Sequence, residues 1–317
     1  MLGCVKLLLY VGFPCIVPHA VELPTTPWRQ YHGRENPEAR AAYLPTYLEL
    51  QRMHARVDPS LQRVATFSEA MSALHGRDIW EDRAQLDGMW QLLGIQGTDM
   101  ISPSSSPKFV RGLVESRRPS FAIEVGAFLG YTTSVIAKSV DSVSRDDEGP
   151  FVLAIDTWLG DAYMWSHKRH FACQDCEGRP YFELLRQFHG YPLLYFQFLR
   201  NMLEAGVAHR VVPFPLPSAQ AARVLDYLQW RPDLVYIDAS HDTVDVLQDL
   251  EHFWFLLECG GLLFGDDYHW QPVRTAVDTF VQRRNLSLRA YWIVGAGAME
   301  EAIPHDDVQP WRWSGYP

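Results

Sequence analysis

The residues with the most chemistry in this chain lie between Asp233 and Trp270, in the stretch DLVYIDASHDTVDVLQDLEHFWFLLECGGLLFGDDYHW. It carries Asp238, the adjacent pair Asp266 and Asp267, and two histidines, His241 and His269. Carboxylates take hard divalent cations such as Mg²⁺, which keep waters and open positions for an oxygen-bearing substrate. Such a cation stabilises a developing alkoxide and orients the group that bears it. An imidazole three residues beyond Asp238 reaches the same side and accepts a hydroxyl proton near neutral pH. The pattern therefore predicts a metal site of Asp238, Asp266 and Asp267, with Asp238 and His241 catalytic and His241 as the base. His269 is the competing base, a substrate contact, or a structural neighbour of Trp270. A plainer reading gives Asp238 and Asp242 to capping of the helix that follows.

Residues so far apart in sequence act together only if their elements converge. Leu234 to Ile237 reads as a buried strand, Val244 to Leu257 as an amphipathic helix, and Leu262 to Phe264 as a second buried strand after Gly260-Gly261. Parallel strands joined by a helix end on one edge of their sheet, so the acids face one crevice. The alternation continues upstream. Strands are expected at Phe121 to Val125, Phe151 to Ile155 and Arg210 to Phe214. Helices are expected at Phe109 to Ser116, Tyr131 to Val140, Tyr181 to Ala205 with a break near Gly190-Tyr191-Pro192, and Ala219 to Leu228. A helix at Val273 to Arg284 leads to closing antiparallel strands within Leu288 to Val294. The expectation is a doubly wound α/β fold whose mostly parallel sheet is covered on both faces.

The first strand ends FAIEVGAFLGYTTSVIA, an acid-x-Gly-x-x-x-Gly turn that opens a helix. Glycines there admit positive φ and close backbone approach, and the helix N-terminus, near Thr132, Thr133 and Ser134, favours a carboxylate. The spacing is not Gly-x-Gly-x-x-Gly, and Glu124 would repel a pyrophosphate but suit an amine. Asp156, ending the next strand in VLAIDTW, stands where an acid takes ribose hydroxyls. Pro217-Ser218-Ala219 would approach an adenine after the third strand. These features describe a sulfonium nucleoside with an amino-acid tail, S-adenosylmethionine. The plain alternative is that Gly126 and Gly130 only permit tight strand-to-helix packing.

With EVGAFLG, IDTWLGD, FPLPSAQAA, YIDASH and LLFGDDYHW in this order, the chain from about Phe109 to Arg284 resembles the class I S-adenosylmethionine-dependent methyltransferases. More narrowly it is similar to the group with the metal-dependent macrolide-sugar O-methyltransferases. The resemblance implies a seven-stranded Rossmann-like sheet and a cofactor-binding set of Glu124, Gly126, Ala127, Gly130, Thr132, Asp156, Ser218 and Asp238. Glu124, Gly126 and Gly130 would meet the methionine part, Asp156 the ribose, and Ser218 would lie near the adenine. The substrate is expected to be a small hydroxylated molecule such as a sugar, a phenol or another diol. Alternatives on the same fold are a hydroxylase-type relative and a catalytically silent one.

The rest of the chain frames this domain. A net charge of −10 over 317 residues, without a run of like charge, argues against a nucleic-acid groove. Residues 1–20, with an apolar run from Leu7 to about Val17, read either as a short signal peptide or as a buried strand. No other stretch is long and apolar enough to span a membrane, so a soluble protein is expected, in the cytoplasm or, with a cleaved leader, the secretory pathway. Residues 21–100 form an irregular and then helical extension, with two helices between Leu61 and Leu93 and boundaries near Gly76 and Gly88. The N-terminal helices are candidate elements for a homo-oligomer. The methyltransferase-like domain is expected over 101–317. His167, His170, Cys173 and Cys176 have zinc-ligand types, but the spacing is tighter than in usual zinc sites and favours a local disulfide, if the chain is secreted, or above all a plain aromatic lid. Trp270, Trp311 and Trp313 could line a pocket.

Overall fold

The computed structural model describes residues 66–100, 107–144, 149–161, 164–165, 181–258, 260–284, 286, 288 and 293–295. The leader-like segment, the His167–Cys176 cluster, Trp311 and Trp313 lie outside these residues.

Eight helices and six strands carry the argument: α1 (Phe67–His75), α2 (Arg83–Leu93), α3 (Pro107–Arg117), β1 (Phe121–Val125), α4 (Tyr131–Val143), β2 (Phe151–Ile155), α5 (Leu193–Glu204), β3 (Val211–Phe214), α6 (Ser218–Tyr227), β4 (Leu234–Ile237), α7 (Thr243–Leu256), β5 (Leu262–Gly265), α8 (Gln271–Arg284) and β6 (Ile293–Gly295). The sheet order is β3-β2-β1-β4-β5-β6, parallel throughout except that β6 runs antiparallel to β5. The seventh strand expected is not among the described residues. The order reverses direction between β1 and β4, the switch point at which open α/β sheets bind ligands.

Every residue of β1 to β5 is buried, which is why these strands read as apolar runs rather than as alternating patterns. Alternate side chains feed two cores. Ile123, Leu153, Val212, Val235 and Leu263 pack with α1, α6, α7 and α8, while Ala122, Val152, Val211, Leu234 and Leu262 pack with α2 to α5. Helices α1 and α2 thus belong to the same packed body as the sheet. Thr66 and Glu69 form a capping box at the start of α1, and Gly76 ends it with φ +74°. Gly88, expected as a boundary, lies inside α2 instead. The expected break near Gly190 is a two-residue antiparallel ribbon, Gln187–Phe188 with Tyr191–Pro192, placed just before α5.

The outer edge of β3 is covered by the link between α1 and α2. The Trp80 indole N–H donates to the Val211 carbonyl at 2.9 Å, and His75 Nε2 donates to the Pro213 carbonyl at 2.8 Å. Val211 donates its own N–H to Ala208, and Pro213 has none to offer. No outward backbone group of Val211 or Pro213 is left without a partner.

Candidate active site

One more ladder bond beyond each strand gathers the predicted residues. The N–H of Gly126 donates to Ile155, that of Asp156 to Phe214, that of Asp238 to Val125 and that of Asp266 to Ile237. Each is the first residue past its strand, so Asp156, Gly126, Asp238 and Asp266 stand side by side along the carboxyl edge of β2, β1, β4 and β5. Neighbouring strands are about 4.8 Å apart, which spaces these four positions across roughly 15 Å. The convergence expected from the sequence is present.

At the β4–β5 end, one ligand atom each from Asp238, His241 and Asp267 lie within 4.8 Å of one another. His241 Nε2 is 2.6 Å from Asp267 Oδ2, and its Nδ1 is 3.6 Å from Asp161 Oδ2. The imidazole lies over Trp270, with ring centroids 4.6 Å apart. Asp266 lines the same cavity, with Ile237, Val246 and Val273 as apolar wall, but stands outside the compact group of three. Its Oδ1 accepts the N–H of Asp267 at 2.8 Å. His269 is exposed, with Nδ1 3.9 Å from Asp267, so His241 is the imidazole inside the cluster. Capping of α7 falls to Asp242, whose carboxylate accepts from the N–H of Val244; Asp238 instead accepts from the Tyr236 hydroxyl at 3.2 Å.

The cluster is short of positive charge. Burial pushes the Asp238 carboxyl well above its ordinary range, and the charges of Asp267 and Asp266 push it further; His241 and the Tyr236 hydroxyl oppose them. Burial alone would lower the pKa of His241, but the Asp161 and Asp267 carboxylates outweigh it and raise it to about 10.

At the β1–β2 end the glycines serve the protein's own packing. A Cβ on Gly126 would sit 2.0 Å from the Asp238 carbonyl oxygen, at φ +93°. One on Gly130 would meet Met202 and Phe198 of α5. Glu124 is buried and accepts a hydrogen bond from the Thr133 hydroxyl. Burial raises its pKa well above the usual carboxyl range, and Asp238 and Asp156 add to this. Ala127 and Thr132 are buried in the same turn and helix start. Asp156 accepts from the N–H groups of Phe128 at 2.8 Å and Trp158 at 2.7 Å, which fastens the β1 turn to the loop after β2. Ser218 opens α6, and its hydroxyl works against the rise that burial gives the Asp249 carboxyl on α7.

Two features here escape a reading of motifs. Asp161 reaches His241 only because the loop after β2 folds back across the crevice. Three of the six described non-glycine residues with positive φ (Phe128, Trp158 and Asp267) lie at this edge, a concentration of strain usual at functional sites.

Residues 123–268 match a family model described as a methyltransferase domain. That segment is a methyltransferase domain. No curated protein matches the chain. Among solved structures, the O-methyltransferase from Bacillus cereus in complex with SAH is 15% identical, over 72% of this chain and 93% of that one, with a TM-score of 0.39. TomG from Streptomyces achromogenes, an O-methyltransferase involved in tomaymycin synthesis and solved with SAM, is 14% identical over 71% and 95%, with a TM-score of 0.40. Overlap at this level bears on neither the substrate nor the metal of the methyltransferase domain. No described helix is long and apolar enough to cross a membrane.

Proposed function

We propose that the methyltransferase domain uses S-adenosylmethionine to methylate a hydroxyl oxygen of a small molecule, a sugar, a phenol or another diol, with a divalent cation such as Mg²⁺ at the acidic cluster. The observation that carries this reading is the convergence of Asp238, His241 and Asp267 beside the glycine turn.

The residues present suit both groups. Three carboxylates around one imidazole are a hard-oxygen donor set with surplus negative charge, which is what a divalent cation neutralises. Asp238 and Asp267 would hold it, with Asp266 beside them. For the nucleoside, Asp156 is the acid for ribose hydroxyls, the Gly126 turn and the start of α4 face the amino-acid tail, and Asp238 comes next along the edge. Glu124 is already engaged by Thr133, so its part is to fix the turn rather than to meet the amine directly. Ser218, the first residue of α6, would lie near the adenine.

Methyl transfer to oxygen is a single displacement: the methyl carbon's bond to the sulfonium sulfur breaks as its bond to the acceptor oxygen forms. A bound cation supplies positive charge for that oxygen. His241 takes the hydroxyl proton at Nε2. Were Asp238 and Asp267 to hold a cation, they would no longer stabilise the imidazolium, and Nε2 would be released from Asp267 to accept the hydroxyl proton.

Calorimetry should give saturable binding of S-adenosylmethionine to the folded protein; absence of binding would end this reading. Mass analysis of the product should show the gain of one methyl group, whereas a gain of one oxygen would favour a hydroxylase-type relative. The compactness of the group also favours His241 as a third cation ligand. His241→Gln separates the roles: a base leaves cation affinity intact while turnover is lost, and a ligand loses both.

A further inference from the structure

We propose that Asp161 is a positioning residue for His241, one that holds a proton on Nδ1 and so leaves Nε2 as the atom that works in the acidic cluster. This rests on the reading of His241 as the base.

Three observations fix the imidazole from three directions. His241 Nδ1 is buried and has no hydrogen-bond partner within normal range; Asp161 Oδ2, at 3.6 Å, is the carboxylate that faces it. A buried ring N–H without an acceptor is costly, and a closure of a few tenths of an ångström satisfies this one. The second direction is Nε2, committed to Asp267 at 2.6 Å. The third is the ring face, which lies over Trp270 at an interplanar angle of 36°. Exchanging the two nitrogens would require the ring to turn against both carboxylates and the indole.

Asp161 is itself anchored. Its Oδ1 accepts the N–H of Met164 at 2.6 Å and its carbonyl accepts that of Trp165 at 3.1 Å, so Oδ2 is the oxygen turned to the imidazole. The preceding residue, Gly160, has φ +75° and lies so close against Leu185 that a Cβ would come within 2.4 Å of its Cδ2. The Trp158 N–H on Asp156 fixes the start of the same short loop. The segment 156–161 therefore runs from the ribose-side acid to the carboxylate behind the base. A carboxylate behind a histidine selects its tautomer and orientation, and its loss typically costs about 10–100-fold in activity.

The test compares Asp161→Ala and Asp161→Asn: with the single amide oxygen of Asn held by the Met164 N–H, its NH₂ group is left facing Nδ1, so both variants remove the acceptor. In metal-free protein labelled with ¹⁵N-histidine, the wild type should show a slowly exchanging Nδ1–H resonance, assigned by its loss in His241→Gln. That resonance should vanish in both variants. With S-adenosylmethionine and Mg²⁺ supplied, kcat should fall about 10–100-fold in both variants, with KM for the methyl donor unchanged. An Nδ1–H resonance that survives in Asp161→Ala, or an unchanged kcat in that variant, overturns the proposal. If Asp161→Ala does not fold, survival of the resonance in folded Asp161→Asn overturns it instead. A wild type that transfers no methyl group would defeat the reading of function while leaving the magnetic resonance comparison decisive for Asp161.

Discussion

Asp267 combines a functional carboxylate with an unfavourable backbone. Its φ of +57° lies in the left-handed region, which costs an ordinary residue about 1–2 kcal/mol and Asn or Asp somewhat less. Asp267→Asn keeps that tolerance and the side-chain shape but removes the charge facing His241. Without a cation, its thermal midpoint should stay close to that of wild type, because repulsion on Asp238 is relieved as the His241 pair is lost. Divalent-cation binding, followed by calorimetry, should fall by at least tenfold; unchanged affinity would remove Asp267 from the ligand set. Asp238 and Asp266 were legible in the sequence because each directly follows an apolar strand, where side chains reach the sheet edge, and Asp267 is the next residue after Asp266. Asp161 closes the IDTWLGD motif, but its approach to His241 was not legible, since it depends on Gly160 and on the fold-back of a loop without periodicity.

At the scale of elements, the β1 turn and the end of β4 touch backbone to backbone at Gly126. Gly126→Ala places a methyl group 2.0 Å from the Asp238 carbonyl oxygen at a φ that side chains avoid. The turn must move away from β4, at a cost of several kcal/mol. The expected result is a drop in thermal midpoint together with loss of S-adenosylmethionine binding, both measured on the same sample. A variant with native stability and affinity would show that the turn yields freely. Strands β1, β2 and β4 were legible to the residue from their uninterrupted apolar runs. The motif at Gly126 and Gly130 was legible too, but its cause was not: the steric demand comes from Asp238 and from Met202 and Phe198, which only the tertiary fold brings near. The ribbon before α5 was hidden because Gly190 and Pro192 announce a break without saying what fills it.

For the molecule as a whole, buried acids set the pH response. Burial raises the pKa of Asp249 to about 7 and that of Asp233 to about 6, and it pushes Glu124 and Asp238 well above the carboxyl range. Carboxyls with raised folded-state values bind more protons folded than unfolded, so their ionisation opposes folding as pH rises through those values. His241, raised to about 10, contributes stability that is complete below about 6.5 and lost as pH rises through 10. His252 acts the other way, because burial lowers it to about 4 and its cost appears only below about 6.5. Between about pH 6.5 and 9, then, protein free of cation and cofactor should lose thermal stability steadily. Asp249→Asn should flatten only the lower end of that slope, up to about pH 7. A midpoint that rises over the same interval would contradict these assignments.

The covering of β3 by Trp80 and His75 also bears on assembly. A sheet with bare carbonyls and amides at its rim invites an incoming strand, from a second molecule or from a misfolded neighbour. Here both outward carbonyls are taken, one N–H is turned inward and the other is abolished by proline. The β3 rim therefore offers no template for sheet extension, and an oligomer of this protein has to be built through other surfaces.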